Sequence, residues 1–577
     1  MAEKKDLTIR FGGEGGEGII SAGDMVARAA ARSGLEVLTF KTFPAEIKGG
    51  YAMYQARFSH EKILSEGDGF QVVCVFNKEA LDVNMADLKE GTVLVYDYPG
   101  GDIEDEVNIE GVACYPVPMS RGAKEDLGTY RAKNMVALGA VAELFSISMD
   151  SIRETVEAKF GKKGQDVVDI NFKALDYGRD HVRNNLKKTD PYKMDSGTPT
   201  EGTIVIAGNE AIGLGALLAG VEFFSAYPIT PATEVASFLS RHMPKFGCTL
   251  VQAEDEIASI ANVIGSSYAG AKSMTSTSGP GLSLMQELIG MSSMMETPLV
   301  IVDVQRGGPS TGLPTKHEQS DLLLAAHGCH GDASKVVISP ENIEDCVYLT
   351  VEAFNVAEKY QTTVLFLSDG SMGFRTSSIK RPDPSKIRVV NRDRHKPANG
   401  NGEYKRYEIT ESGVSPMAHP GDPGCAYISA SLEHSESSAP KYTSDNHVAM
   451  LDKRFGKLDT VEDFFPATEV DEQEGATLGV IAWGSTIGTL REAIGVARAE
   501  GVKVSAIYPK LVWPLPMKAL QPFIEKHDKI LIPEINKQGQ LAKVMKGEIN
   551  FDPISYTIYG GMPFTPREIA DKIKEVS

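Results

Sequence analysis

Along most of this chain, short runs of apolar and β-branched residues end in turns of small residues, and most pass into stretches with helical periodicity. LTIRF, LEVLTF, YAMYQARF, QVVCVF and TVLVYDY are the strand-like runs before residue 185. GTIVIAG, VEFFSAYP, TLVQAE, KSMTSTS, PLVIVDV and TTVLFLSDG follow up to about residue 378. TLGVIAWG, KVSAIYP, KILIPEIN and ISYTIYG close the chain. Strands alternating with helices bury their apolar faces as sheets covered by helices, so the expected fold class is α/β. A chain of 577 residues is too long for one core, so it is expected to be multidomain. The polar stretch NNLKKTDPYKMDSGTPTEG reads as a linker at 189–200, between a first unit at 1–188 and a second at 201–380. Residues 381–474, rich in Pro, Asp, Asn, Ser and His, read as a long irregular connection to a third unit at 475–577.

The formal net charge of -19 argues against a nucleic acid or an anionic membrane as partner. The start MAEKKDLTIRF lacks a long apolar core, and no apolar run approaches the roughly 18 residues of a membrane span. Cys74, Cys114, Cys248, Cys329, Cys346 and Cys425 are scattered, without a C-x-x-C pair. That pattern fits a reducing, cytoplasmic location and argues against a cysteine-ligated zinc or iron–sulfur site in this chain.

RFGGEGGEGII raises a sharper question. Gly13, Gly15 and Gly18, with Gly16 between them, fit the G-x-G-x-x-G fingerprint of a dinucleotide-binding turn. Its usual companion is missing. LEVLTFKTF ends at Lys41 and Thr42 where a ribose-binding acid is expected, and Glu46 lies beyond it. Glu14 and Glu17 place negative charge in the turn itself, which is unfavourable beside a pyrophosphate. A tight turn without a ligand is the plain alternative.

Three turns in the central unit carry chemistry. In AYPITPATEVASF, Thr230 and Pro231 read as N-cap and first helical residue, leaving a hydroxyl beside free helix amides. In VQAEDEIAS, Glu254 ends a strand and Asp255 and Glu256 open a helix, where acids also complement the dipole. In KSMTSTSGPGLSLM, Gly279, Pro280 and Gly281 form a small-residue turn that a ligand could approach closely. Each has a bland reading as a cap or a turn. Together they are more specific.

An acid at a strand end followed by T-S-G-P-G resembles the pyrimidine-binding module of thiamine diphosphate enzymes. The resemblance implies that Tyr227, Pro228, Ile229, Glu254, Thr277, Ser278 and Gly279 contact that cofactor. It also implies that Glu254, with Glu256 as fallback, shares a proton with N1′ of the aminopyrimidine. PLVIVDVQRGGPSTGLPTKHEQSDL adds Arg306, placed to clamp a 2-oxoacid carboxylate, with Thr311 and Thr315 in the loop after it. With Y-P-I-T-P, Q-A-E-D-E and Q-R-G-G-P-S-T-G-L-P-T, the chain resembles the α subunit of 2-oxoacid:ferredoxin oxidoreductases. Residues 1–188, including F-P-A-E-I-K-G-G, resemble the γ subunit of the same enzymes, and 475–577, with AWGST and PEINKQGQ, their transketolase-C-terminal-like domain. The implied architecture is therefore a γ-type α/β domain, a thiamine diphosphate-binding Pyr domain and a transketolase-C-terminal-like α/β domain. Gly13, Gly15, Gly16 and Gly18 become a CoA-facing loop by this resemblance.

The diphosphate half of such a site, in that family G-D-G followed by Asn, has no match here. Gly67-Asp68-Gly69 lacks the Asn, and Asp369-Gly370 with Asn399 has Ser368 in place of the first glycine. The resemblance assigns Mg²⁺ and a [4Fe–4S] cluster to a β subunit, in a dimer of α–β pairs that reduces ferredoxin. The implied reaction is 2-oxoacid plus CoA and oxidised ferredoxin to acyl-CoA, CO₂ and reduced ferredoxin, or its reverse. Glu254, Thr230 and Arg306 are its catalytic candidates, and Thr230 and Arg306 hold the substrate carboxylate. The γ–α fusion looks most like the 2-oxoglutarate type, with Lys316 and Lys48 as candidates for a second carboxylate. Pyruvate or a broad 2-oxoacid range, a non-oxidative thiamine enzyme, a nucleotide- or flavin-binding oxidoreductase and a scaffold subunit are the alternatives.

Overall fold

The computed structural model describes residues 6–44, 49–199, 201–395 and 404–577. It divides into two compact units, Met1–Ala207 with Phe374–Arg381, and Gly208–Gly373 with Pro382–Ser577.

The first unit is built on an eight-stranded sheet. Asp6–Glu14, Val72–Val75, Val93–Asp97 and Ala113–Val117 run parallel on one side. Tyr51–Ser59 is antiparallel to both Asp6–Glu14 and Glu36–Thr42. The glycine-rich turn and the helix Ile19–Arg32 therefore join two strands with an antiparallel strand between them. That is not the adjacent parallel pair of a dinucleotide-binding βαβ unit. Two helices, Lys133–Leu144 and Gln165–Asn185, touch backbone to backbone, because a Cβ at Gly139 or Gly178 would strike Leu175 O or Val136 O.

Thr203–Ala207 was expected to open the second unit. It instead pairs antiparallel with Thr376–Lys380, which continues the first unit's sheet through Ser377 and Leu38. TIVIA is a sound strand by composition, but only pairing decides which sheet receives it.

In the second unit, Phe223–Ala226, Thr249–Gln252, Ser273–Thr277, Leu299–Gln305, Lys335–Ile338 and Thr363–Asp369 form a parallel sheet. Leu511–Trp513, from the C-terminal region, closes its edge antiparallel to Lys335–Ile338. The strands are apolar throughout because helices cover both faces. A second sheet, of Glu469–Asp471, Val504–Tyr508, Leu478–Ile481, Lys529–Glu534 and Ile554–Thr557, forms the C-terminal layer. Gln319 joins the two layers: Nε2 donates to Trp483 O at 3.0 Å, and Oε1 accepts from Thr486 Oγ1 at 2.8 Å.

The connection at 381–474 is less irregular than its composition suggests. It contains the helices Ser444–Gly456 and Val461–Phe464. Lys453 Nζ donates to both Glu296 oxygens at 2.7 and 2.8 Å, Lys457 Nζ to Oε2 at 3.0 Å, and Arg406 Nη2 to Glu296 O at 2.8 Å. Arg392 makes a second tie, donating to Glu358 Oε1 at 2.6 Å and to Ser267 O at 2.6 Å. Buried charge pairs thus seat this segment on the parallel sheet's helices.

Candidate active site

Strand order decides where a ligand can sit in the second unit. From Phe223–Ala226 the chain moves outward to Thr249–Gln252, then returns to the other side of its first strand with Ser273–Thr277. The loops after Phe223–Ala226 and Ser273–Thr277 therefore leave in opposite directions. That opens a crevice at the carboxyl ends of the strands, the preferred ligand position in an open parallel sheet.

Tyr227 and Pro228 are exposed on the first of these loops, and Ile229 and Thr230 are half-buried. The expectation that Thr230 caps a helix is not met. The Thr230–Pro231 peptide is cis, and the helix begins at Thr233 with Ala232 as its N-cap. Ala232 N donates to Ile229 O at 2.8 Å, so these residues close a turn and free the Thr230 side chain from capping. The Thr230 carbonyl accepts from Arg306 Nη1 at 2.6 Å. The two residues expected to hold a substrate carboxylate are thus brought together.

The three neighbouring acids separate by role. Asp255 is the N-cap of the helix Glu256–Tyr268, its carboxylate accepting from Ala258 N at 2.7 Å. Glu256 is buried, against Thr277 and Gly281. Glu254, one step before the cap, is exposed, and no hydrogen bond or ion pair holds it among the described residues. Thr277 and Ser278 are fully buried, Ser278 Oγ without a partner, and the helix Gly279–Met295 starts directly after them. A Cβ on Gly279 would lie 2.8 Å from both carboxylate oxygens of Asp321. One on Gly281 would lie 2.6 Å from Glu256 Cγ and closer still to Thr277 Oγ1. Gly281→Ala is expected to destabilise the chain by ~1–3 kcal/mol, because the overpacked neighbours are buried. A thermal melt against the unchanged protein checks this.

Arg306 follows the strand Leu299–Gln305 and is buried, its Nε without a partner. Burial lowers its pKa, opposed by the carboxyls of Asp321, Asp303 and Glu256. Thr311 is exposed, and Thr315 and Lys316 are half-buried in the loop that follows. Burial lowers the Lys316 pKa. Lys48 and Asn399 lie outside the described residues. His317 Nδ1 stands 3.0 Å from Asp369 Oδ1, both side chains buried. Burial alone would raise the Asp369 pKa, but His317 and the Met372 N–H bring it below the ordinary value.

Four residues were not legible as site residues. Asp303, Asp321 and the His317–Asp369 pair all face the same end of the sheet. A charged residue inside the apolar run PLVIVDVQ was the available signal for Asp303.

The turn holding Gly13, Gly15, Gly16 and Gly18 lies in the first unit and is filled by its own acid. Glu17 Oε2 accepts from Glu14 N and Asn77 Nδ2, both at 2.8 Å. Its Oε1 accepts from Lys133 Nζ at 2.9 Å. Lys133 is buried, 3.1 Å from Asp97 Oδ2 and donating to Phe76 O at 2.7 Å. A pyrophosphate at this turn would meet the Glu17 carboxylate. Gly16 alone of the four presents open backbone.

The residues fit thiamine diphosphate on their own chemistry. An unengaged carboxylate, an unpartnered buried hydroxyl and a glycine turn line one switch-point crevice. Among the described residues no helix is long and apolar enough to cross a membrane.

Comparison with known proteins agrees with this geometry. Residues 214–453 match the family model described as pyruvate flavodoxin/ferredoxin oxidoreductase, thiamine diP-bdg. Residues 8–181 match pyruvate ferredoxin/flavodoxin oxidoreductase, and 476–569 match pyruvate:ferredoxin oxidoreductase core domain II. The chain is similar to 2-oxoglutarate oxidoreductase subunit KorA of Mycobacterium tuberculosis, at 33% identity over 99% of this chain and 91% of the relative. It is also similar to 2-oxoacid:ferredoxin oxidoreductase 2, subunit alpha, of Aeropyrum pernix, at 28% identity over 99% and 98%. A solved structure of 2-oxoglutarate:ferredoxin oxidoreductase from Magnetococcus marinus, holding 2-oxoglutarate, coenzyme A and succinyl-CoA, superposes with a TM-score of 0.95. It shares 55% identity over 99% of this chain and 100% of that one. Extended over nearly the full length at this identity, with a thiamine diphosphate-binding domain in the second unit, the chain belongs to the 2-oxoacid:ferredoxin oxidoreductases, as an α subunit of the 2-oxoglutarate/2-oxoacid type.

Proposed function

We propose that the chain is the γ–α fused subunit of a CoA-acylating enzyme that converts 2-oxoglutarate, CoA and oxidised ferredoxin to succinyl-CoA, CO₂ and reduced ferredoxin. The observation that carries this reading is the convergence of Arg306 on Thr230 at the switch point, with Glu254 unengaged at its rim. The relative holding 2-oxoglutarate, coenzyme A and succinyl-CoA supports the substrate choice.

When bound, thiamine diphosphate supplies the carbanion chemistry that cleaves the bond between the keto carbon and the carboxylate. Glu254 shares a proton with a ring nitrogen of the aminopyrimidine, while Tyr227, Pro228, Ile229, Thr277, Ser278 and Gly279 line its pocket. The free Nε edge of Arg306 receives the substrate's carboxylate, which a guanidinium binds in bidentate fashion. The Thr230, Thr311 and Thr315 hydroxyls complete the substrate site, and Lys316 is the candidate for the distal carboxylate. CoA approaches the turn of Gly13, Gly15, Gly16 and Gly18, through the open backbone at Gly16. Mg²⁺ and a [4Fe–4S] cluster belong to a β subunit, in an (αβ)₂ assembly. In domain terms, 1–188 is the γ-type unit, 201–380 the Pyr domain and 475–577 the transketolase-C-terminal-like domain.

The test is dye-linked turnover of the chain co-purified with its β subunit. Viologen reduction with 2-oxoglutarate that requires CoA is expected, with pyruvate a poor substrate. Reduction with pyruvate but not 2-oxoglutarate overturns the substrate assignment, and turnover without CoA overturns the acylation.

A further inference from the structure

Beside the Arg306 clamp lies a carboxyl pair to which the reaction above gives no task. Asp303 is fully buried near the end of the strand Leu299–Gln305. Asp321 is the N-cap residue of the helix Leu322–His327, yet its carboxyl caps no N–H of that helix. It turns instead to Asp303, and the two carboxyls hydrogen-bond each other. No N–H or O–H from elsewhere in the chain reaches either Asp303 oxygen or Asp321 Oδ2. Ionised carboxylates are acceptors only, so this contact needs a proton between them. Burial, then repulsion by Asp321, pushes the Asp303 carboxyl well above its ordinary range. Burial raises Asp321 to about 6. At neutral pH the pair therefore carries one proton and one negative charge.

Arg306 is the cation whose field acts on both carboxyls. Glu256, from the helix Glu256–Tyr268, faces Arg306, and Glu318, from the loop, faces Asp321. The helix Gly279–Met295 brings uncharged backbone at Gly279, and Gln305 Oε1 accepts from Asp321 N at 3.1 Å. An anionic substrate carboxylate on the Nε edge of Arg306 adds a further negative charge to a buried site that holds one arginine. Like charges at short range in a low-dielectric site favour protonation of one of them.

We propose that Asp303 and Asp321 are positioning residues that hold Arg306 for the 2-oxoacid carboxylate and take up one proton from solution as that carboxylate binds. The net charge of the site is then the same before and after binding. The inference rests on the assignment of Arg306 as the carboxylate clamp.

The test uses the complex with the β subunit, from about pH 6 upward, where the substrate is fully ionised. KM for 2-oxoglutarate should rise with pH, approaching tenfold per unit, as uptake of one proton requires, while kcat moves much less. Asp321→Asn should flatten this KM profile, and Asp303→Asn likewise. A purely structural role would lower the melting temperature or kcat and leave the slope. Calorimetric titration of the unaltered complex with N-oxalylglycine, the amide analogue of 2-oxoglutarate, in two buffers of different ionisation heat should count one proton taken up per site. A count of zero, or an unchanged slope in Asp321→Asn, overturns the proposal. If the variants fail to fold, the proton count decides alone. Arg306→Lys distinguishes the underlying assignment: KM unchanged at every pH refutes the clamp itself, whereas a raised KM with no proton uptake refutes the carboxyl pair only.

Discussion

Glu254→Ala, in the complex with the β subunit, is expected to lower kcat by ~10²–10⁴-fold, the range over which a positioned proton-transfer group contributes. The melting temperature should stay unchanged. The reason lies in what Glu254 does not do: exposed and held by no hydrogen bond or ion pair among the described residues, it supports nothing within its own chain. Surface substitutions away from structural features change stability little. Its neighbours provide the contrast. Asp255 caps the helix, and buried Glu256 packs on Gly281 and Thr277, so replacing either should cost stability as well as activity. Turnover near the unaltered level in Glu254→Ala, with turnover lost in Glu256→Gln at an unchanged melting temperature, would transfer the role to Glu256.

The largest stability effect is expected at Glu296→Gln. Glu296 is buried with Lys453 and Lys457, and Arg406 donates to its carbonyl. Burial alone would raise its pKa, but Lys457, then Lys453 and Arg406, pull it far below the ordinary value. Breaking a buried pair leaves uncompensated charge, at a cost of ~3–5 kcal/mol. Part of that loss is recovered if a lysine releases its proton, and Lys457 is already drawn down to about 8, chiefly by burial. Glu296→Gln combined with Lys453→Met and Lys457→Met should therefore be more stable than Glu296→Gln alone. The pH dependence has a definite sign. A carboxylate with a depressed folded pKa stabilises fully above its unfolded value of 4.5 and loses that contribution as pH falls toward the folded pKa. Denaturant midpoints below pH 4.5 should fall in the unaltered chain with a component that Glu296→Gln lacks. A midpoint equal to that of the unaltered chain at neutral pH would show that the cluster does not hold the 381–474 segment.

Much of the site could be read from local pattern. Glu254, Thr277 to Gly279 and Arg306 follow strand ends because an apolar run that stops at a turn is visible in the residues themselves. Glu254 and Glu256 could not be told apart that way. Which of two acids points outward depends on where the helix begins, and the Asp255 cap decides it. Thr230 followed the same logic in reverse. Its Thr-Pro pair has the form of a helix start, yet the helix starts at Thr233, and Thr230 meets Arg306 through its carbonyl. The helix Ser444–Gly456 was hidden for a related reason: its buried contacts include Lys453, Arg454 and Asn446, so no apolar stripe announced it. The G-x-G-x-x-G turn shows that a formal match can be overruled by topology. An antiparallel strand separates its two flanking strands, and Glu17 occupies the turn.

By itself, then, the sequence determined the α/β class, the turns that carry chemistry and the family to which they point. Those properties follow from side-chain periodicity and turn composition within a dozen or so neighbouring residues. Tertiary structure alone decided that Thr203–Ala207 serves the first sheet, that Arg306 reaches Thr230 across 76 residues, and that Asp303 and Asp321 share a proton. Each of these depends on which strands become neighbours and which carboxyls lose their water. Such contacts join residues far apart in the chain, and no local pattern records them.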